Sequence, residues 1–179
     1  MRTIHTSIKV VAVILAVSAL SATSARADSY SQTNYQSDIA GVAAHVDPNL
    51  VNPWGMAANS TGTTIWVSDN GTGVSTLYHQ DGTAASRVVT IPTSARNKDG
   101  GNPTGIVFNG TPFFKVTKNG NSQPATFIFA SEDGSISGWN LSLDGTNAII
   151  AVDNGTNSGT TTCMVRATGS SMCSIRAAI

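Results

Sequence analysis

The feature that most constrains the fold of this sequence is an internal repeat. Residues 52–57 (NPWGMA) recur as residues 102–107 (NPTGIV), 50 positions later. Residues 66–71 (WVSDNG) match residues 128–134 (IFASEDG) at a displacement of 63, with Ser68 on Ser131. Asp-Gly-Thr at 81–83 recurs at 144–146 with the same displacement. Three landmarks that recur in the same order, two of them at one displacement, indicate a repeat architecture.

Each repeat contains four short apolar segments separated by turn residues. The segments are residues 55–58, 64–68, 74–78 and 87–91 in the first repeat, and 105–108, 126–131, 135–141 and 148–152 in the second. Four antiparallel strands in a unit of about 50 residues are typical of a propeller blade. We therefore predict an all-β, β-propeller-like fold, with two four-stranded blades of an incomplete, truncated propeller. A β-sandwich built from two similar halves is the alternative.

The turns and the tryptophans fit short strands. Asp-Gly at 81–82 and 144–145 and Asn-Gly at 70–71 tolerate the positive φ angles of tight hairpins. Trp54, Trp66 and Trp139 lie on or beside predicted strands. This position favours core packing over a ligand-stacking role for all three.

The repeat divides the chain into five segments. We predict a signal peptide at 1–27, an N-terminal extended segment at 28–51, blade-like repeats at 52–101 and 102–154, and an aberrant, disordered tail at 155–179. The second repeat has extra residues between Asn109 and Thr126, where glycines and prolines bracket an apolar patch. We interpret these residues, at about 110–125, as an inserted hairpin.

The first 27 residues have the order of a secretory signal peptide. Arg2 and Lys9 precede an uncharged apolar run at 10–20, and small residues follow it. The run is shorter than the roughly 20 residues that span a bilayer. Small residues at Ala25 and Ala27 predict cleavage after Ala27. We expect a secreted, periplasmic or cell-surface protein that is not transmembrane after cleavage.

The charge of the mature chain argues against nucleic acid as a partner. Three of the ten basic residues and none of the ten acidic ones lie in residues 1–27, which leaves seven basic residues against ten acidic ones. The remaining basic residues are scattered, whereas a nucleic-acid-binding domain gathers them in a patch. A cell-surface or extracellular partner is the expectation that remains, and its chemistry is unknown.

Five stretches resemble a family of secreted, mostly bacterial proteins that are similar to NHL-type β-propellers. They are SDIAGVA at 37–43, DPNLVNPWG at 47–55, WVSDNGTG at 66–73, PTGIVFN at 103–109 and EDGSISGW at 132–139. The resemblance covers about residues 31–154. It implies a propeller with several further blades, and some members carry a C-terminal sorting anchor. The family has no established biochemical function.

The resemblance ends near Asn154, where the family opens a third blade. Residues 160–173 read TTTCMVRATGSSMC, without strand alternation. We hypothesise a frameshift or truncation near residues 156–160. Cys163 and Cys173 lie ten residues apart in a chain predicted to be exported, so a disulfide is permitted. If the tail is out of frame, the two cysteines have no selected role.

Acidic residues recur at matched turns and form a candidate metal site. They are Asp69, Glu132, Asp133 and Asp153. Clusters of oxygen ligands hold Ca²⁺, which takes about six to eight of them. Asp, Asn and Gly are also the ordinary residues of tight turns, and a central metal would need ligands from blades that are missing, so a turn role is the favoured interpretation and the metal site is the alternative. No G-x-S-x-G motif or histidine pair with metal-ligand spacing occurs, and no catalytic residue or other cofactor is predicted.

Three functional hypotheses follow. The favoured one is an exported, non-catalytic, propeller-type protein that acts in binding or at a surface. The second is a Ca²⁺-dependent hydrolase of lactonase or phosphoesterase type on a six-bladed propeller, in which the metal would polarise the substrate. The third is a non-functional, frameshifted remnant.

Overall fold

The computed structural model describes residues 30–95 and 101–154. The predicted signal peptide and its cleavage site after Ala27, the tail at 155–179, and Cys163 and Cys173 lie outside the described residues. Every regular element in the described ranges is a β-strand, so the predicted all-β class is confirmed. The described residues contain no helix long and apolar enough to pass through a membrane.

The first repeat forms a four-stranded antiparallel sheet, named the first sheet below. Two short strands precede it, β1 (Gln36–Ser37) and β2 (His45–Val46), which pair in parallel and which the sequence does not predict. The sheet contains β3 (Pro53–Ala58), β4 (Thr64–Asp69), β5 (Val74–His79) and β6 (Ala84–Thr90). Each strand pairs with the next, in the order β3-β4-β5-β6.

The second repeat forms a sheet of the same design, named the second sheet. Its residues form β7 (Pro103–Phe108), β8 (Lys115–Lys118), β9 (Asn121–Pro124), β10 (Phe127–Ser131), β11 (Ile136–Trp139) and β12 (Ile149–Val152). The sheet order is β7-β10-β11-β12, with β8 and β9 paired separately as a hairpin. All eight predicted strands are therefore present, with ends that differ by at most three residues.

The β8–β9 hairpin lies where the sequence predicts an insertion, and it packs back on the second sheet. Val116 and Ala125 join a buried cluster with Ile128 and Ile136. At Gly138 of β11 an added Cβ would lie 2.7 Å from the Ala125 Cβ and 2.8 Å from the Val116 Cγ1. A glycine is needed at this position because the hairpin occupies the space of a side chain.

The strand register shifts one part of the repeat alignment by a residue. In the first sheet Gly55 pairs with Ser68, and in the second Gly105 pairs with Ala130. The structural equivalent of Ser68 is therefore Ala130, and Ser131 is equivalent to Asp69. The sequence match of Ser68 with Ser131 was therefore wrong by one position. The turn after β4 connects Asp69 to Val74, whereas the turn after β10 connects Ser131 to Ser135 and is one residue shorter. The two serines are identical in type but occupy positions that are not equivalent.

The main core lies between the two sheets. Trp66 of the first sheet stacks on Phe127 of the second, with ring centroids 4.2 Å apart, and lies 4.8 Å from the ring of Trp139. The core also contains buried aliphatic and aromatic side chains from both sheets: Leu77, Val89, Ile91, Ile106, Phe129 and Ala148. Because adjacent side chains in a strand point to opposite faces, each sheet contributes one face to this core.

The two sheets also meet at their edges. At the outer edge, the Thr90 N–H donates to the Thr146 carbonyl (2.8 Å), and the Ala148 N–H donates to the Thr90 carbonyl (2.9 Å). At the inner edge, β3 packs on β7. A Cβ on Gly55 would lie 2.7 Å from the Thr104 carbonyl oxygen and 3.1 Å from the Gly105 Cα. Only a glycine allows this backbone approach.

The inner-edge contact predicts different effects for two equivalent glycines. Gly55→Ala places a methyl group against the β7 backbone, and we expect the free energy of unfolding to fall by about 1–3 kcal/mol. Gly105→Ala is the matched control, because the nearest atom to its added Cβ is 4.0 Å away. Urea unfolding of both variants measures the difference. Equal losses of stability would show that the sheets do not approach each other in this way.

Candidate functional site

Polar side chains at one end of the inner strands link the two repeats. The Asn52 amide Nδ2 donates to Asn70 Oδ1 (3.1 Å), and the Asn70 Nδ2 donates to Glu132 Oε1 (2.9 Å). The Asn102 Nδ2 donates to the Asn70 carbonyl (3.3 Å). Glu132, a predicted metal ligand, therefore accepts a hydrogen bond from the neighbouring repeat.

The repeated Asn-Pro pairs position this network. Asn52 and Asn102 have positive φ angles of 51° and 35°, and asparagine is one of the few non-glycine residues that adopt them readily. The Asn52 carbonyl accepts from the Asn70 N–H (3.2 Å), and the Asn102 carbonyl accepts from the Glu132 N–H (3.1 Å). Asn70 and Glu132 thus occupy equivalent places in the two repeats.

Two other predicted ligands hold the segment that leaves β6. Asp133 Oδ2 accepts from the Ser94 N–H (2.7 Å), and Asp153 Oδ2 accepts from the Ala95 N–H (3.0 Å). Asp133 Oδ1 also accepts from the Ser135 N–H (2.9 Å) and hydroxyl (2.7 Å). Burial by itself raises the pKa of Asp133, but the hydrogen bonds from Ser94 and Ser135 outweigh it and lower the pKa.

The fourth predicted ligand, Asp69, lies at the end of β4 and has no exposed surface. Its Oδ2 accepts from the Thr76 N–H (2.9 Å), and its Oδ1 has no hydrogen-bond partner among the described residues. Loss of hydration on burial raises the pKa of Asp69 to about 7, although hydrogen bonding from Thr76 opposes the rise. This carboxyl is therefore largely protonated below neutral pH.

The structure gives each of the four carboxylates a hydrogen-bonding role within the chain. In the described ranges, no three His, Cys, Asp or Glu side chains come together as a group that could hold a metal ion. Asp and Asn at turns are serving as backbone caps, which is their common structural role. The Ca²⁺ site remains a prediction with these four residues as its candidates.

The first sheet has an apolar groove on the face that points away from the second sheet. The groove has a volume of about 480 Å³. Trp54 and Met56 of β3 form its exposed wall, with 58% and 70% of their surfaces accessible. Its other walls are apolar, aromatic and uncharged polar side chains together with one histidine: Tyr35, Gln36, Leu50, Ile65, Val67, Tyr78, His79 and Gln80.

The N-terminal segment forms one side of this groove. The Gln36 Nε2 donates to the Gly82 carbonyl (2.8 Å), and the Tyr35 side chain occupies the space that a Cβ on Gly82 would fill. The Tyr78 hydroxyl donates to Asp47 Oδ2 (2.9 Å). Burial, the bond to Asp47 and the nearby carboxylates raise the pKa of Tyr78, so it stays a neutral donor.

The three tryptophans do not share one environment. Trp66 and Trp139 are buried in the main core, as the sequence predicts. Trp54 is exposed on the groove, so its predicted core packing was wrong. A strand in a two-faced sheet places alternate residues on opposite faces, and only the packing of the sheets decides which face is covered.

Comparison with known proteins finds two similar viral proteins, and no family model matches the chain. The chain is 33% identical to "Uncharacterized protein R648" of Acanthamoeba polyphaga mimivirus over 102 residues, which are 57% of this chain and 24% of that protein. It is 29% identical to "Uncharacterized protein L690" of the same virus over 112 residues, which are 63% of this chain and 29% of that protein. The chain thus spans less than a third of the length of these relatives, to which no function is assigned.

The buried Asp69 predicts a pH dependence of stability. In the folded chain its pKa is about 7, against an ordinary value of 3.8. The folded state therefore holds this proton more tightly, so the free energy of unfolding falls as the pH rises from about 4 to about 7. We expect Asp69→Asn to remove this fall. Its unfolding midpoint should match that of the wild type at pH 4 and exceed it at pH 8.

Asp81→Asn is the control for this prediction. Hydrogen bonds from the Thr83 side chain and backbone lower the pKa of the exposed Asp81, so its contribution to stability is present above pH 4 and lost in acid. At pH 8 the thermal unfolding midpoint should therefore lie above that of the wild type for Asp69→Asn and below it for Asp81→Asn. A variant at Asp69 with the pH profile of the wild type would contradict the raised pKa.

Proposed function

We propose that this chain belongs to an exported, non-catalytic binding protein whose repeats are arranged as neighbouring blades of a propeller-like array. The observation that carries the proposal is the apolar groove on the first sheet, where Trp54 and Met56 are exposed side by side on one strand. Contiguous apolar surface of this kind marks sites of interaction in soluble proteins. The groove is the recognition surface in this proposal.

The blade-like arrangement is supported by the likeness of the two sheets. Both are four-stranded antiparallel sheets, their first strands β3 and β7 pack together, and their faces share one core. Neighbouring blades of a propeller have this relation, with the first strand of each innermost. The resemblance to secreted, mostly bacterial NHL-like proteins in residues 31–154 supports the same arrangement.

A non-catalytic role is supported by the state of the acidic residues. Asp69, Glu132, Asp133 and Asp153 each accept a hydrogen bond from a backbone N–H or an asparagine amide of the chain. A hydrolase of the Ca²⁺-dependent type needs carboxylates directed at one metal ion and at a water molecule. Carboxylates that cap turns and loops stabilise the chain instead.

A calcium measurement separates binding from hydrolysis. The purified protein should have the same unfolding midpoint in about 2 mM Ca²⁺ as in excess chelator, since a ligand that binds only the folded state would raise the midpoint. Metal content by mass spectrometry and hydrolysis of a lactone and a phosphoester are measured on the same samples. Stoichiometric calcium that is lost together with a hydrolytic activity would replace the binding proposal with the hydrolase.

Export is tested separately with the complete chain in a bacterial host. The expected product outside the cytoplasm begins at Asp28, as determined by intact mass. Placing a charge in the apolar run of the signal peptide, for example with Leu15→Arg, should leave the uncleaved chain in the cytoplasm. The export machinery recognises a signal peptide by its uncharged apolar run. A wild-type chain that stays uncleaved in the cytoplasm would contradict the export part of the proposal.

A further inference from the structure

We infer that the partner recognised at the groove is an extended, uncharged peptide segment of another protein, which pairs as an added strand with the free edge of β3. Its alternate apolar side chains enter the groove beside Trp54 and Met56. The inference rests on the proposed function, because it names the class of partner for the same surface. Three features of the first sheet support this partner: the direction of the main-chain groups of β3, the pairing at the opposite edge of the sheet, and the absence of charge in the groove.

The main-chain groups of β3 alternate between β4 and the free edge. The Asn59 N–H, one position beyond the end of β3, donates to the Thr64 carbonyl (3.0 Å). Hydrogen-bonded pairs recur at every second position of an antiparallel ladder, so Ala57 also directs its main-chain groups at β4. Met56 and Ala58 lie between these positions. Their N–H and C=O groups therefore point away from β4, and no hydrogen bond joins these groups to another described residue.

The free edge of β3 is uncharged along the groove. Residues 54–58 (WGMAA) contain no charge and no proline, which are the residues that commonly keep a sheet edge from pairing. Unpaired N–H and C=O groups on an exposed strand are a template for another strand. A peptide strand would pair with these groups, whereas an acyl chain would fill the groove and leave them unpaired.

The opposite edge of the same sheet already pairs with an extended segment. The strand at that edge is β6, and residues 146–148 lie beside its end, with a parallel bridge between Thr90 and Asn147. The Thr90 N–H and carbonyl are both hydrogen-bonded to this segment. The first sheet therefore takes an extended segment of its own chain at one of its two edges.

The groove selects the side chains of the added strand. A strand beside β3 places every second side chain on the groove face, next to Trp54 and Met56. Among the described residues, those that line the groove include no Asp, Glu, Lys or Arg. A charged side chain of the partner would lose its hydration there without a counter-charge. The partner is therefore a segment in which apolar residues occupy every second position.

Amide hydrogen exchange of the full chain, followed by nuclear magnetic resonance, tests this pairing. The probe is the peptide KTVTVTVTK, in which valines alternate with threonines and the terminal lysines keep the peptide soluble. In the free chain the amides of Met56 and Ala58 should exchange faster than those of Gly55 and Ala57, which are hydrogen-bonded to β4. Saturating peptide should slow exchange of the first two amides at least about tenfold and leave that of the other two unchanged.

Two N-methylated forms of the probe are the matched controls. One form is methylated on the main-chain nitrogens of the valines and the other on those of the threonines, so each form loses the N–H donors of one edge of the strand. One form should bind at least about tenfold more weakly and the other should bind as the parent peptide does, because only one edge of the added strand faces β3.

A pair of variants tests the same donor on the side of the chain. Met56→Pro removes the N–H that points to the free edge and breaks no hydrogen bond to β4. Met56→Ala is its control, because this variant shortens the side chain and keeps the N–H. Met56→Pro should weaken binding of the peptide more than Met56→Ala does.

Trp54 fluorescence, recorded in the same titration with Trp54→Phe as the blank, reports on the groove itself. Equal binding of the two methylated forms, or unchanged exchange at Met56 and Ala58 in saturating peptide, overturns the pairing with β3. If Trp54 still responds to the peptide in that case, the groove stands as the recognition surface and only the added strand is lost. Without a response of Trp54, the inference is overturned and the proposed function loses the groove as well.

Discussion

The contact of Trp66 with Phe127 and Trp139 is the interaction on which the rest of this structure depends. The three rings lie between two sheets that each have only four short strands. A single twisted sheet of this size cannot bury both of its faces, so it needs a partner layer. The Arg87 guanidinium carbon lies over the Trp139 ring, 5.3 Å from the ring centroid. The hydrogen bond from Asn70 to Glu132 and the inner-edge contact of Gly55 join the same two sheets that this core holds together.

The polar residues of the chain serve the geometry of the repeat. The carboxylates at the strand ends cap turns, receive the segment after β6, or accept from an asparagine of the other repeat. Asp69 is the exception among these carboxylates, because one of its two oxygens is buried without a hydrogen-bond partner among the described residues. Such a group lowers stability when it is ionised, and the structure retains it at the junction of β4 with the Asn70 network. Apolar surface, by contrast, is left over on one face, and that surface carries the proposed recognition.

Much of the fold could be predicted from the sequence, while less of the site could. Short apolar segments separated by turn residues predicted all eight strands of the two sheets, because these signals are local. The hairpin at β8–β9 was also visible as extra length between matched landmarks. The parallel pairing of β1 with β2, the exposure of Trp54 and the groove were not predicted. They depend on contacts between residues far apart in the chain, and a strand pattern is the same whether its second face is covered or open.

The sequence by itself determined the class of the fold, the number of strands in each repeat and the places where the chain turns. It could do so because hairpins and strand alternation depend on residues within a few positions of one another. Only the tertiary structure decided which face of each sheet is buried, which acidic residues cap the backbone and where apolar surface remains exposed. Met56 and Ile106 illustrate the reason. They are equivalent apolar residues on equivalent strands, and within the described ranges a neighbouring sheet covers Ile106, whereas Met56 is 70% exposed.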